Sequence, residues 1–247
     1  MKLIRLLFVA ALGFTFATGG YAQADVREVF VCNFIDGKDM DDVMSARDFY
    51  VRQAEKAGLE IPTSFVWTPF KGSFNYDVLW FSNYTDLSAF GAYTDAFAAS
   101  SEMTAVDERF ETVLDCRSGI AMRETVFDGG EPPVANPPAF ISSSACTYRS
   151  GMAQADLGDL WGHLNDVLNE LGTHTDFVFY SGIPFTSNPN SPDLRLYGVH
   201  DSASAWAGRA EAIRGSEAGQ SLGRHFNAVL DCDNSLWIAQ RVIPPLE

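Results

Sequence analysis

The sequence predicts an α+β protein built from two tandem βαββαβ units. Two observations carry this prediction. The motif Val-Leu-Asp-Cys occurs at residues 113–116 and again at residues 229–232. The cysteine that ends each motif follows an upstream cysteine by 84 residues in the first unit and by 86 in the second. The apolar periodicity then gives both units the same order of strands and helices.

The first 24 residues have the features of a signal peptide. Lys2 and Arg5 precede an apolar stretch at residues 6–18, which is shorter than the about 20 residues that a membrane-spanning helix needs. Residues 22–24, Ala-Gln-Ala, match a small-x-small cleavage site. Cleavage after Ala24 predicts a soluble periplasmic or extracellular protein with no membrane insertion once the signal peptide has been removed.

A linker is predicted at residues 128–138, which contain two glycines, four prolines and almost no apolar side chains. It separates repeat 1, at residues 25–127, from repeat 2, at residues 139–247. Each repeat has roughly 100 residues, enough to bury a core of its own with disulfide help.

Periodic apolar residues, glycines and turn residues set the predicted elements. Repeat 1 has strand 28–34, helix 39–57, strands 65–70 and 77–83, helix 87–114 with a break near residue 100, and strand 120–127. Repeat 2 has strand 145–148, helix 156–171, strands 177–180 and 193–199, helix 203–230 and strand 236–243. Gly58 and Gly172 end the first helix of each repeat, because glycine readily takes the left-handed conformation found at helix C-termini.

The first helix of each repeat carries an inward-facing stripe at i, i+3, i+4 and i+7 spacing. The two stripes align without gaps: Val43, Ala46, Arg47, Tyr50 and Ala54 match Leu157, Leu160, Trp161, Leu164 and Leu168. The strands are apolar on both faces, as in residues 78–81, where Val and Trp alternate with Leu and Phe. Helices cover only one face of such a sheet, so the other repeat is expected to cover the second face.

The βαββαβ order is the ferredoxin-like pattern, and its duplication resembles the dimeric α/β-barrel superfamily in tandem-repeat form. The resemblance spans the whole chain after residue 24, but no short motif selects one family. It implies a strand order of 4-1-3-2 in each repeat, with the two sheets packed face to face. The superfamily includes cofactor-free monooxygenases, muconolactone isomerase-like enzymes, haem proteins of the chlorite dismutase and dye-decolourising peroxidase types, and members without known activity.

The four cysteines are expected to form two disulfides in an oxidising compartment. The duplication favours Cys32–Cys116 and Cys146–Cys232 among the three pairings available. Four buried free thiols are the alternative. A metal site is disfavoured, since the chain has no Cys-x-x-Cys, His-x-His or His-Glu-x-x-His motif.

The chain has a formal net charge of −15. A surface this acidic repels phosphate backbones and anionic lipids, so nucleic acid and anionic membranes are not expected partners. The need for solubility is enough to explain the negative net charge, so the charge does not point to a cationic partner.

Two histidines are candidates for chemistry. His163 lies on the first helix of repeat 2, and the resemblance to tandem haem proteins implies an axial haem ligand on such a helix. A half-exposed helix histidine is the alternative. His225 is a candidate catalytic group because histidine titrates near neutral pH, or a surface residue near a helix C-terminus.

Further ligand-binding candidates lie on the predicted core. Arg47 occupies an inward-facing position, where it either binds a ligand carboxylate or packs its stem and extends its head into water. Tyr50, Trp67 and Trp161 either line an aromatic pocket or form ordinary core. Arg123 recurs in repeat 2 at the equivalent position of the last strand, which indicates a structural ion pair across the barrel.

The sequence therefore predicts an exported protein that holds a small apolar or aromatic molecule or serves as a stable scaffold. The alternatives are a cofactor-independent monooxygenase or isomerase and a haem-binding protein. No residue is assigned a catalytic role, and no cofactor is expected beyond the haem alternative.

Overall fold

The computed structural model describes residues 25–72, 74–130, 138–173, 177–185 and 191–243. The predicted signal peptide and most of the predicted linker lie outside these residues. The first half contains β1 (Asp25–Phe34), α1 (Met40–Ala57), β2 (Thr63–Lys71), β3 (Val78–Tyr84), α2 (Leu87–Ala98), α3 (Ser101–Glu111) and β4 (Leu114–Asp128). The second half contains β5 (Ala139–Tyr148), α4 (Leu157–Glu170), β6 (Phe177–Pro184), β7 (Leu194–His200), α5 (Ala203–Gly215), α6 (Glu217–Val229) and β8 (Leu230–Ile243).

The eight strands form one closed antiparallel barrel in the order β1-β3-β2-β8-β5-β7-β6-β4. Within each half the strands follow the order expected from the sequence, β4-β1-β3-β2 and β8-β5-β7-β6. The halves meet edge to edge, because β2 pairs with β8 and β4 pairs with β6. The fold is thus α+β, as predicted, but the two sheets enclose a shared interior as a single barrel rather than stacking as separate layers.

Capping residues set the two ends of α1. Asp39 caps α1 by accepting hydrogen bonds from the backbone N–H groups of Asp41 and Asp42. Gly58 ends α1 in the left-handed conformation, with φ of 65°. Val43, Ala46, Tyr50 and Ala54 are buried on one face of the helix, which confirms four positions of the predicted stripe.

No helix in the described residues is long and apolar enough to cross a membrane.

Several element boundaries differ from the prediction, among them the start of β5, which lies at Ala139 rather than at residue 145. β4 begins at Leu114 and β8 at Leu230, several residues earlier than the apolar pattern indicated. Residues 115–118 of β4 are exposed, so alternation gives no strand signal there, and pairing with β1 sets the conformation instead. The helix predicted over 203–230 is two helices, because Ser216 accepts a hydrogen bond from the backbone of Gly219 and starts α6.

Both faces of the sheet are buried, as the sequence predicted. On β3, Val78 and Trp80 face the helices of the first half, whereas Leu79 and Phe81 face the barrel interior. A separate cluster rich in leucine lies between the sheet and the helices of the second half. The protein therefore has two helix-side cores and one interior core.

Both predicted disulfides are present. Cys32 is bonded to Cys116 across β1 and β4, and Cys146 is bonded to Cys232 across β5 and β8. In each pair the two cysteines are direct partners in the strand register. Each bond therefore joins the first and last strands of its half.

We predict that removing either disulfide destabilises the protein by about 2–5 kcal/mol, because each bond closes a long loop of the unfolded chain. The two loops, of 84 and 86 residues, are nearly equal, so Cys32→Ser/Cys116→Ser and Cys146→Ser/Cys232→Ser should lose similar amounts. Urea unfolding of both double variants beside the parent measures this. An unchanged unfolding midpoint in either variant would contradict it.

Candidate functional site

A cavity of about 700 Å³ lies between the sheet and the helices of the first half. This volume is within the range of small-molecule sites in proteins, about 300–1,000 Å³. Its walls include seven aromatic side chains and four acidic residues, and the Cys32–Cys116 disulfide borders it. Strands β1, β3 and β4 and all three helices contribute side chains, among them Glu28, Tyr50, Trp80, Tyr84, Tyr93 and Phe110. We call this space the sheet–helix cavity.

Four polar side chains of the sheet–helix cavity form two hydrogen-bonded pairs. The Tyr84 hydroxyl donates to Glu28 Oε2 over 3.2 Å, and the hydroxyls of Tyr50 and Tyr93 share a hydrogen bond. Tyr50 comes from α1, Tyr93 from α2, and the other pair from neighbouring strands. The tertiary fold thus brings the Glu28 carboxyl group and three phenols together in a cavity that Asp107, Glu111 and Asp115 also border.

Burial changes the acidity of these groups. It raises the pKa of Glu28, and the nearby carboxylate of Asp107 raises it further, against the opposing effect of the Tyr84 hydrogen bond. Burial also raises the pKa of Tyr50 and Tyr84 above the ordinary value, and that of Tyr93 to about 12. The phenols therefore stay neutral. Tyr84 already donates its proton to Glu28, so the Tyr50–Tyr93 pair, in which one O–H proton is left over, is the donor available to a ligand. Glu28 is the group suited to exchange a proton.

The second half places a different polar cluster at matching positions. Ser142 lies four residues before Cys146, as Glu28 does before Cys32. His200 ends β7, as Tyr84 ends β3. Arg209 follows His200 by nine residues, as Tyr93 follows Tyr84.

The Ser142–His200–Arg209 cluster has a fixed direction of hydrogen bonding. Arg209 donates through a terminal guanidinium nitrogen to His200 Nδ1 over 2.8 Å. His200 Nε2 lies 2.9 Å from Ser142 Oγ. Because Nδ1 accepts, the neutral ring carries its proton on Nε2 and donates it to the serine. Ser142 is therefore not activated as a nucleophile, since activation needs a ring nitrogen free to accept its proton.

A glycine makes the contact between Ser142 and His200 feasible. A Cβ atom at Gly198 would lie 2.7 Å from Ser142 Oγ and 2.9 Å from His200 Nε2. Any larger residue would push one of the two partners away. The close approach on this face of β7 therefore requires glycine.

The structure places the ligand-binding candidates from the sequence in different regions. Tyr50 lines the sheet–helix cavity. Arg47 donates to the Val242 carbonyl over 2.8 Å. Its Nε lies 2.9 Å from an Asp48 carboxylate oxygen, in an ion pair that lacks hydrogen-bond alignment. The Arg47 head thus contacts backbone and solvent rather than the cavity.

Neither tryptophan candidate borders the sheet–helix cavity. Trp67 lies in the barrel interior, 4 % exposed, with its ring centroid 4.3 Å from that of Phe81. Trp161 packs on the core of the second half, against Phe179 and Phe226. The tertiary structure therefore separates these rings from Tyr50.

His163 and His225 form a pair between α4 and α6, with 3.1 Å between their Nδ1 atoms. Both are partly exposed, and neither borders either of the two cavities described here. The described residues contain no cluster of three or more potential metal ligands. His163 is thus paired with another histidine, and an axial haem ligand at this position remains a prediction from the sequence.

Sequence reasoning missed Glu28, Tyr84, Tyr93 and the Ser142–His200–Arg209 cluster. A signal for them exists in the alignment of the two halves. The apolar positions match in spacing, whereas these positions exchange one polar type for another. A polar position that differs between otherwise matching halves is a sign of a site in one of them.

No protein-family model and no curated protein matches the chain, but solved structures share its fold. A provisionally assigned monooxygenase from Fusobacterium nucleatum is 10% identical, with a TM-score of 0.55 over 90% of this chain and 94% of that one. A provisionally assigned chlorite dismutase is 10% identical, with a TM-score of 0.54 over 90% and 96%. A provisionally assigned monooxygenase from Lactobacillus acidophilus is 9% identical, with a TM-score of 0.53 over 89% and 95%.

These neighbours define the class of fold. They belong to the dimeric α/β-barrel superfamily, which includes proteins like chlorite dismutase and antibiotic-biosynthesis monooxygenases. The TM-scores show a shared fold. The sequence identities near 10% carry no function across to this chain.

We predict that His200 destabilises the protein in mild acid. Burial, with repulsion from Arg209, lowers the pKa of His200 from 6.5 to about 3. The unfolded chain therefore binds a proton that the folded chain does not, and the free energy of unfolding should fall by up to about 4 kcal/mol as the pH drops from 6.5 toward 3.

Chemical denaturation across this pH range, for the parent and for His200→Gln, isolates the effect. The variant should lose less stability between pH 6.5 and 4 than the parent. NMR titration of the His200 ring should show no midpoint above pH 5. A midpoint near 6.5 would contradict the prediction.

Proposed function

We propose that this protein binds a small, mostly apolar or aromatic molecule in the sheet–helix cavity. The observation that carries the proposal is the convergence of Glu28, Tyr84, Tyr50 and Tyr93 inside an aromatic enclosure of about 700 Å³. Apolar walls with a few placed polar groups are typical of small-molecule sites. A planar ligand with one hydroxyl or carbonyl group would satisfy both features.

The setting of the site supports a role outside the cytoplasm. Two disulfides and the signal-peptide features of residues 1–24 favour export to the periplasm or the extracellular space. The matching strand order of the halves, with the predicted linker at 128–138, supports duplication of a ferredoxin-like unit. In this proposal residues 25–127 and 139–247 are the two repeats, and the first has kept or acquired the ligand site.

An enzymatic role is the second candidate, favoured by the raised pKa of Glu28. A buried carboxylate with this property is a good general base for an acidic C–H or O–H group of a bound aromatic molecule. The reaction would convert an activated methylene to a carbonyl, consuming one O₂ and releasing one water. The names of two structural neighbours, both provisionally assigned monooxygenases, agree with this class.

Residues of the first half would perform the steps that need protein groups. Glu28 would accept the substrate proton, and the Tyr50–Tyr93 pair would hold the substrate oxygen through a neutral phenol. The aromatic walls would exclude water from the carbanion. An isomerase would use the same base to return the proton to another carbon.

Native mass spectrometry of protein purified from its own source tests the binding proposal. We expect a retained mass that is lost in Val106→Phe, because Val106 lines the sheet–helix cavity and the larger ring fills it. Leu222→Phe is the matched control, since it lies at the equivalent position in the core of the second half. Retention of the mass in Val106→Phe, or its equal loss in both variants, would contradict the proposal.

The enzymatic candidate is tested by O₂ uptake with anthrone-type and hydroxynaphthalene substrates. We expect turnover to fall about 100-fold or more in Glu28→Gln, which removes the base but keeps an acceptor for the Tyr84 hydroxyl. Ligand binding should persist in that variant. Equal rates in the parent and Glu28→Gln would exclude the proposed base.

A further inference from the structure

A second cavity, of about 420 Å³, lies inside the barrel at the end where β1 begins and β8 ends. We call it the barrel-mouth cavity. The sheet lies between it and the sheet–helix cavity, because residues that alternate along β1 face opposite sides. Tyr84, at the end of β3, borders both cavities. Three arginines from three strands line it: Arg27 of β1, Arg123 of β4 and Arg241 of β8.

Arg27 is the most unusual of the three because it is only 6 % exposed. Its Nε donates to Asn83 Oδ1 over 2.8 Å. No carboxylate among the described residues forms an ion pair with it. Its guanidinium carbon lies 5.0 Å from the Phe81 ring centroid and 5.6 Å from that of Tyr197. A buried guanidinium with unused donors normally has an anionic partner.

The other two arginines add positive charge to the same space. Arg123 pairs with Asp25, the only carboxylate among the described residues that line the cavity, and lies 4.5 Å over the Tyr180 ring. Arg241 enters from β8 and has no recorded ion pair within the described part of the chain. Three guanidinium groups thus meet one carboxylate, although the whole chain carries a net charge of −15.

The arginine cluster is costly without an anion. Burial lowers the pKa of Arg27 to about 9, and repulsion from Arg123 contributes to that decrease. Either effect would be reduced by a negative charge in the cavity. The sequence predicted an ion pair across the barrel for Arg123, but the ion pair observed is with Asp25, its direct partner on the neighbouring strand β1. Asp25 also acts on Arg27, but no carboxylate among the described residues forms an ion pair with Arg27 or Arg241.

The other residues that line the barrel-mouth cavity indicate the chemistry of the part of a ligand that does not contact the arginines. Phe65, Trp67 and Tyr180 supply aromatic surface beside the arginines. Small and aliphatic side chains, including Ala139 and Ile141, complete the wall from β5. A bare inorganic anion would leave this apolar surface without contact, whereas a planar organic anion would cover it.

We propose that the barrel-mouth cavity binds an aromatic carboxylate, with the carboxylate held by Arg27 and Arg241 and the ring against Trp67 and Phe65. Guanidinium groups match carboxylates through paired N–H donors. The site differs from that of the proposed function in position and in charge. The protein then carries two ligand sites, one on each side of the same sheet.

Isothermal titration calorimetry with 2-naphthoate tests the site, with neutral 2-naphthamide and inorganic phosphate as comparison ligands. We expect 2-naphthoate to bind at least about tenfold more tightly than either, because a hydrogen bond between two charged groups is stronger than one to a neutral amide, and inorganic phosphate leaves the aromatic wall without contact. Arg241→Gln should weaken its binding about tenfold or more. Arg224→Gln, an exposed arginine on α6, is the matched control and should bind as the parent does.

Arg27→Met should weaken 2-naphthoate binding further, provided that circular dichroism shows a folded barrel. If that variant does not fold, Arg241→Gln and Arg123→Gln decide the outcome. Val106→Phe should leave 2-naphthoate binding unchanged, which separates this site from the sheet–helix cavity. Absence of 2-naphthoate binding, equal binding of the amide, or an unaffected Arg241→Gln variant would overturn the proposal.

Discussion

Closure of the barrel depends on two strand pairs that join the halves, β2 with β8 and β4 with β6. In each half these strands would otherwise be edges with unpaired N–H and C=O groups. Their pairing satisfies those groups and encloses one interior, while the helices cover the outside. The sheet therefore has a helix-facing side and an interior side. The sheet–helix cavity lies on the helix-facing side of the first half, and the barrel-mouth cavity lies on the interior side.

The two halves share a backbone plan but differ in polar content. Glu28, Tyr84 and Tyr93 of the first half correspond to Ser142, His200 and Arg209 of the second. Tyr50 on α1 corresponds to Leu164 on α4, which is buried in a leucine-rich core. The fold requires apolar side chains at the core positions and glycine where two elements approach closely. It leaves the polar positions free to change. That freedom lets one half hold an aromatic cavity while its counterpart forms a neutral histidine cluster.

Much of the fold was predictable from particular residues. The matching cysteine spacings gave the disulfides, and alternation in residues 78–81 gave both buried faces. The start of β4 was not predictable, because its exposed residues 115–118 lack alternation and depend on β1 for their pairing. Of the ligand-binding candidates, only Tyr50 borders the sheet–helix cavity. Arg47 lies on the same predicted stripe, but its guanidinium group is held by the Val242 carbonyl, a contact that no local pattern predicts.

The sequence by itself determined the element order, the inward helix stripe and the cysteine pairs, because these follow from spacing along the chain. Only the tertiary structure decided which polar groups meet. Glu28 reaches Tyr84 from 56 residues away, and Arg27, Arg123 and Arg241 meet at one barrel end through pairing between strands. Such meetings depend on strand register and barrel closure, which no local pattern of residues encodes.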